Sequence, residues 1–318
     1  MRVTVTGATG LIGPRLVAAL RARGDEVTVL SRDPDRARER LESSTGSSTS
    51  TGPPLPPLQT AGWDLLHEPA PADALSRRDA VVHLAGENVA QRWTGSAKRA
   101  IHDSRVTGTK HLAQALTTLD AERPRVLVSS SAIGYYGPHG DEPIDEDVPA
   151  GTDFLAQTCS AWEAEARAAE PLGVRVTMVR TGVVLDPNGG ALGKMLPPFK
   201  LGVGGPVAGG RQYISWIHSD DLVGIMLAAI DDERWLGPVN ATAPEPQRNG
   251  DFSKALGRAL RRPAVLPVPA AALRLMYGEM AEIVTSGARV LPAKALVLGY
   301  EFRFPKLESA LRAALSRD

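Results

Sequence analysis

Three glycines near the start of the chain, Gly7, Gly10 and Gly13, are spaced G-x-x-G-x-x-G in the run Thr6-Gly7-Ala8-Thr9-Gly10-Leu11-Ile12-Gly13. Between a strand and a helix, this spacing suits the seating of a pyrophosphate. The first glycine permits a tight turn. The second lets backbone N–H groups approach the phosphates, and the third lets helix and strand pack closely. The helix N-terminus then offers unpaired N–H groups and the positive end of its dipole to the anion. A second pair of candidates, Ser31 and Arg32, follows the strand-like run Glu26-Val27-Thr28-Val29-Leu30. A carboxylate there would bond the ribose 2′-hydroxyl of NAD. A hydroxyl and a guanidinium suit a 2′-phosphate, so the residues favour NADP. Asp33 is read as the cap of a helix that starts at Pro34.

These residues need a scaffold, and the chain supplies one in alternation. Strands are expected at 26–30, 58–64, 79–86, 125–131 and 175–180, the last leading into 181–185, and helices from Leu11 onward, at 96–119 and at 153–169. The first helix carries the apolar stripe Leu11, Ile12, Leu16, Val17 and Leu20. Alternating strands and helices predict an α/β fold, a Rossmann-type doubly wound parallel sheet with right-handed crossovers. His83, inside an apolar strand, is read as a core histidine. Residues 43–57, rich in Ser, Thr, Gly and Pro, are expected to form a mobile surface loop. Beyond 188 glycine and proline accumulate. The expected division is a nucleotide-binding domain of 1–187 and 214–241, and a small substrate lobe of 188–213 and 242–318.

The bulk composition narrows the function. The 318 residues carry 36 basic and 36 acidic side chains, so the net charge is zero. That gives no electrostatic footprint for nucleic acid or an anionic membrane, and neither is an expected partner. The single cysteine, Cys159, excludes an internal disulfide and a cysteine-rich zinc site, and no metal is expected. With no signal segment and no apolar run long enough to cross a bilayer, the expectation is a soluble, cytoplasmic protein, monomer or homodimer, acting on a small molecule.

Thr6 to Gly13, Ser31-Arg32, Leu84-Ala85-Gly86-Glu87-Asn88, Ser104-Arg105, Ala132 to Gly137, Trp162-Glu163, Arg180 to Leu185, Gly204-Gly205-Pro206 and Trp216 to Asp221 together resemble the extended short-chain dehydrogenase/reductases. More narrowly, they resemble the epimerase-like subfamily with a C-terminal domain of unknown function. Its members are often labelled nucleoside-diphosphate-sugar epimerases or NADP-binding oxidoreductases. The landmarks span nearly the whole chain. The resemblance implies an NADP site made by Gly7, Gly10, Leu11, Ile12, Ser31, Arg32, Leu84, Ala85, Arg105 and the Val183–Val184 segment, with Thr9, Gly13 and Gly86 beside it. It implies no particular substrate.

The wider superfamily works with a Ser/Thr, and with a Tyr-x-x-x-Lys pair on one helical face. The lysine holds the nicotinamide ribose and favours the ionised phenol, which trades a proton while hydride moves at the neighbouring carbon. Ser131 sits where that serine belongs. The dyad is absent: counted back from Trp162-Glu163, its positions fall on Leu155 and Cys159, and no tyrosine in the chain has lysine four residues on. Cys159 is read as a buried, apolar-like thiol. Tyr135 and Tyr136, after Ser131 at the carboxyl edge of the sheet, are the remaining proton donors, and Glu87 lies on the same edge. Three readings stay open: an oxidoreductase acting on a small carbonyl or carbinol, a non-catalytic NADPH-sensing protein, and a nucleotide-sugar epimerase. Asp220 or Asp221 is expected to cap the helix after His218. Arg211, Lys194 and Lys200 are candidates for steering an anion.

Overall fold

The computed structural model describes residues 1–44 and 55–316. Most of the segment expected to be mobile, 45–54, lies outside the described residues.

Runs rich in Val, Leu and Thr, buried on both faces except at the β3 edge, build seven strands: β1 (Arg2–Thr6), β2 (Glu26–Ser31), β3 (Leu58–Gly62), β4 (Ala80–His83), β5 (Val126–Ala132), β6 (Arg175–Thr181) and β7 (Gly237–Ala241). Every pairing is parallel, in the order 7-6-5-4-1-2-3. The order reverses between β1 and β4, and the crevice beyond the carboxyl ends of strands at such a switch point is where doubly wound sheets bind ligands.

Helices cover both faces. On one lie α1 (Gly13–Ala22) and α2 (Pro34–Ser44), with Leu16, Val17, Leu20 and Leu41 packed on Val3, Val5, Val27 and Val29. On the other lie the one-turn α3 (Ala72–Leu75), α4 (Gly95–Thr117) and α5 (Phe154–Arg167), with Leu75, Leu112, Leu116 and Ala166 on Val81, Leu127, Val176 and Met178. Thr94 and Asp153 cap α4 and α5 through their side chains, which fixes both starts locally.

A separate core is built by α6 (Gly190–Lys200), α8 (Asn249–Leu260) and the helix Leu307–Leu315, which bury Leu192, Phe199, Phe252, Leu256 and Leu311 around Leu185 and Trp216. Between them α7 (Ser219–Asp231) returns to the first face of the sheet. The C-terminal part does not all belong to the second core: Ala295, Leu298, Tyr300 and Phe302 pack on the sheet side. Between α8 and the last helix the chain therefore leaves the second core for the sheet side and returns to it, two crossings more than a single break at 242 implies.

Candidate cofactor and active site

The β1–α1 corner is built without room for side chains. Gly7 has φ +66°, and a Cβ on it would lie 2.6 Å from the Ala85 nitrogen. Its carbonyl accepts from the Gly10 N–H at 3.0 Å, closing the turn. A Cβ on Gly13 would lie 2.2 Å from the Ala8 oxygen, so α1 approaches β1 as closely as backbone allows. The first turn of α1 has Pro14, no acidic residue and no side-chain cap. Its positive end is left for an external anion. Thr9, Leu11 and Ile12 are half-buried around it, and the Leu11 side chain packs against Gly189 and Gly190, where α6 begins. The second core thus reaches over this corner.

At the end of β2 the Asp33 carboxylate accepts from the Arg36 N–H at 3.0 Å, which makes it the N-cap of α2. The Asp33 N–H donates to Ser31 Oγ at 3.2 Å. Arg32 is exposed. Arg32 acts weakly on Asp64, whose carboxyl is held below the usual range first by the Leu66 N–H and then by His67.

β4 ends at His83, earlier than the sequence pattern suggests. His83 is fully buried between Thr6 (2.7 Å) and Thr109 (3.0 Å), and burial pushes its pKa down to about 4. It is a neutral core residue. The chain then leaves the sheet as Leu84-Ala85-Gly86, with the Ala85 N–H donating to Thr6 Oγ1 at 3.3 Å. Arg105 lies against Gly86. It donates to the Glu87 and Ile101 carbonyls at 3.0 and 3.1 Å and stands 5.2 Å from the Trp162 ring. On the far side Val183 and Val184, half-buried, lie in a short strand (Val183–Leu185) that pairs with Trp216–His218 instead of joining the sheet.

The expected catalytic residues divide. Ser131, 3% exposed, donates to Glu163 Oε1 at 2.7 Å. Glu163 also receives Nε and Nη2 of Arg180 at 2.8 and 2.9 Å. Arg180 Nη1 donates to the Tyr136 hydroxyl at 2.9 Å, and that hydroxyl donates to Asn240 Oδ1 at 2.7 Å. Glu146 completes the network, accepting from the Asn240 and Lys294 N–H groups at 2.9 and 3.1 Å. Tyr136 is 1% exposed, and burial pushes its phenol up to about 12 against the pull of Arg180. The hydroxyls of Ser131 and Tyr136 thus both belong to a buried network that joins β5, β6, β7 and α5. Tyr135 stands apart, half-buried, with the Arg180 guanidinium 3.5 Å from its ring centre.

Leu155 and Cys159 occupy the α5 positions named from the sequence. Leu155 covers Gly134, and the buried Cys159 thiol is pushed up to about 12 by burial, with Arg105 opposing. The cation beside this face of α5 therefore comes from α4. Sequence reasoning noted Glu163 and Arg180 only as landmarks. An arginine inside the strand Val-Thr-Met-Val-Arg-Thr was the available signal, because a buried guanidinium requires a partner.

His218, not an aspartate, caps α7, its Nδ1 accepting from the Asp220 N–H at 3.1 Å. Asp221 instead accepts from the Arg303 and Phe304 N–H groups at 2.7 and 3.0 Å, holding the C-terminal segment. Lys194 bonds the Ala90 carbonyl. Arg211 is exposed, and its carbonyl accepts from Arg248.

Known proteins agree on the frame. The NAD dependent epimerase/dehydratase family matches residues 3–239, and a domain of unknown function, DUF1731, matches residues 268–314. The chain is 40% identical over 316 residues to the chloroplastic epimerase family protein SDR39U1 homolog of Arabidopsis thaliana, covering 99% of this chain and 87% of the relative. Over 317 residues it is 37% identical to the human epimerase family protein SDR39U1, covering 98% and 99%. The crystal structure of human SDR39U1 (isoform 2) with NADPH superposes with a TM-score of 0.84 at 35% identity, covering all of both chains. A UDP-galactose 4-epimerase at 19% identity, with a TM-score of 0.71 and coverage of 100% and 99%, shares the fold.

Proposed function

This chain belongs to the NAD dependent epimerase/dehydratase family, and on that premise we propose that it binds NADP(H) and transfers hydride to or from a small carbonyl or carbinol substrate without a Tyr-x-x-x-Lys dyad. The observation that carries the cofactor half is the β1–α1 corner: a turn with no space for Cβ atoms, followed by a helix whose first turn has neither cap nor acid. In this reading Gly7, Thr9, Gly10, Leu11, Ile12 and Gly13 hold the pyrophosphate. Ser31 and Arg32 take the 2′-phosphate, since the neighbouring Asp33 is engaged as a helix cap. Leu84, Ala85 and Gly86 line the cofactor from β4, and Arg105, Val183 and Val184 border its nicotinamide half. The human relative crystallised with NADPH supports this cofactor.

Bound there, the cofactor supplies or accepts a hydride. The protein side then has to give a proton to the oxygen when a carbonyl is reduced, and take it back when a carbinol is oxidised. Tyr135 is the donor that remains, because Ser131 and Tyr136 are taken by Glu163, Arg180 and Asn240. The buried network would hold the Ile133–Tyr136 turn rigid beneath it. The reading includes a cytoplasmic protein, monomer or homodimer. Among the described residues no helix is long and apolar enough to cross a membrane.

Stopped-flow absorbance of bound NADPH against a carbonyl and sugar-nucleotide panel tests the activity. At least one carbonyl is expected to oxidise the cofactor, and Tyr135→Phe to slow that step by roughly 10²–10⁴-fold. If nothing oxidises it, the second reading stands: a non-catalytic NADPH-sensing protein. The observation that favours this reading is Leu155, which puts an apolar side chain at the tyrosine position.

A further inference from the structure

The neutral net charge hides a local separation of charge. At the C-terminal end of α8, Lys254, Arg258, Arg261 and Arg262 line an open groove of about 360 Å³ together with Ala264 and Val265. Lys254 pairs with Asp251 and Arg258 with Glu308, both at 3.1 Å, with all four side chains more than half exposed. Among the described residues neither Arg261 nor Arg262 has an ion-pair partner, and both are exposed. Arg261 is also in a conformation that disfavours it. It is the C-cap of α8 at φ +54°, in the left-handed region where glycine is the unstrained choice.

Aliphatic side chains project beside these cations. Leu201 and Val203, 78% and 51% exposed, flank a turn whose Gly202 lies against Pro263. Val265 and Leu266, 73% and 49% exposed, follow on the neighbouring loop, whose Leu266 backbone abuts Gly205. Two adjacent turns thus carry four apolar tips next to two uncompensated arginines.

We propose that this face docks on an anionic phospholipid surface, with Arg261 and Arg262 meeting headgroup phosphates and the four aliphatic tips entering the boundary of the acyl region. Charge selects the occupant. A second copy meeting the same face across a two-fold axis would set arginines against arginines. The cores of protein–protein patches are enriched in aromatic residues and methionine, and none of the four tips is either. Lipid needs no matching pocket, and it accepts aliphatic tips and cations together. The contact is peripheral, and it does not depend on the activity proposed above.

Co-sedimentation of the full chain with vesicles tests this, comparing phosphatidylcholine alone with phosphatidylcholine containing about one third phosphatidylglycerol. Binding is expected to the anionic vesicles only and to fall as salt is raised. Arg261→Glu/Arg262→Glu should weaken partitioning by about 30-fold or more, from about one kcal/mol for each cation lost, and Val265→Asp should weaken it at unchanged circular dichroism. Arg261→Gly separates binding from folding: it should weaken partitioning without lowering the melting temperature, whereas an arginine kept for the fold would give the reverse. The proposal is overturned if wild type ignores anionic vesicles, or if the charge-reversed variant binds them as wild type does. It is also overturned if inorganic phosphate alone raises the melting temperature through these arginines with no vesicle binding. The same holds if Val265→Asp breaks a dimer that forms without lipid.

Discussion

Asp33 uses its carboxylate on the Arg36 N–H, so the side chain left facing outward at the end of β2 is Arg32. If Arg32 meets a 2′-phosphate, Arg32→Ala removes a charged hydrogen bond that only one of the two coenzymes can make. NADPH affinity should fall by about 1–3 kcal/mol while NADH affinity holds, by titration of cofactor fluorescence. Equal losses would detach Arg32 from the phosphate. The cap itself was legible, because Asp-Pro is a local signal. The partner of Ser131 was not: Glu163 lies 32 residues on, and only the packing of α5 against β5 brings them together. Arg180 and Glu163 pose a harder test of the same network, since their side chains are 2% and 5% exposed. Arg180→Met strands a buried carboxylate and should cost about 3–5 kcal/mol in urea unfolding. Glu163→Gln/Arg180→Met should recover part of that loss, because no charge is then left unpaired.

Elements whose apolar pattern is continuous were readable from the chain. Each central strand carries two or more β-branched residues, and α4 and α5 begin at side-chain caps within one residue of the expected starts. The pair of Val183–Leu185 with Trp216–His218 was not readable, because two three-residue strands separated by a glycine-rich stretch have no periodicity of their own. The corner between β1 and α1 depends on contact rather than pattern. Gly13→Ala puts a methyl 2.2 Å from the Ala8 oxygen, so α1 must move off β1. We expect a loss of about 1–3 kcal/mol in stability and a larger proportional loss of NADPH binding, because the displaced helix carries the first-turn N–H groups with it. A stable variant with unchanged NADPH affinity would mean that the corner does not hold the pyrophosphate.

At the scale of the whole molecule, charge and protonation are distributed in ways that composition averages away. Zero net charge is a property of the sum, and it coexists with the arginine groove on the second core. The response to acid follows the same logic. His83 has its pKa lowered from 6.5 to about 4 by burial. Below pH 6.5 the unfolded chain takes up a proton that the folded chain refuses. This contribution to stability is therefore complete above 6.5 and is lost as pH falls towards about 4, at about 1.4 kcal/mol per pH unit. Glu146 and Asp221 are raised, chiefly by burial, and act in the opposite sense, binding protons more readily when folded. The wild-type slope is thus a difference of terms, and His83→Gln isolates one of them, since glutamine stays neutral throughout. The gap in unfolding free energy between variant and wild type should shift in the variant's favour by roughly 3 kcal/mol between pH 7 and pH 4. A gap that does not change with pH would mean that the ring between Thr6 and Thr109 accepts its proton without opening the sheet.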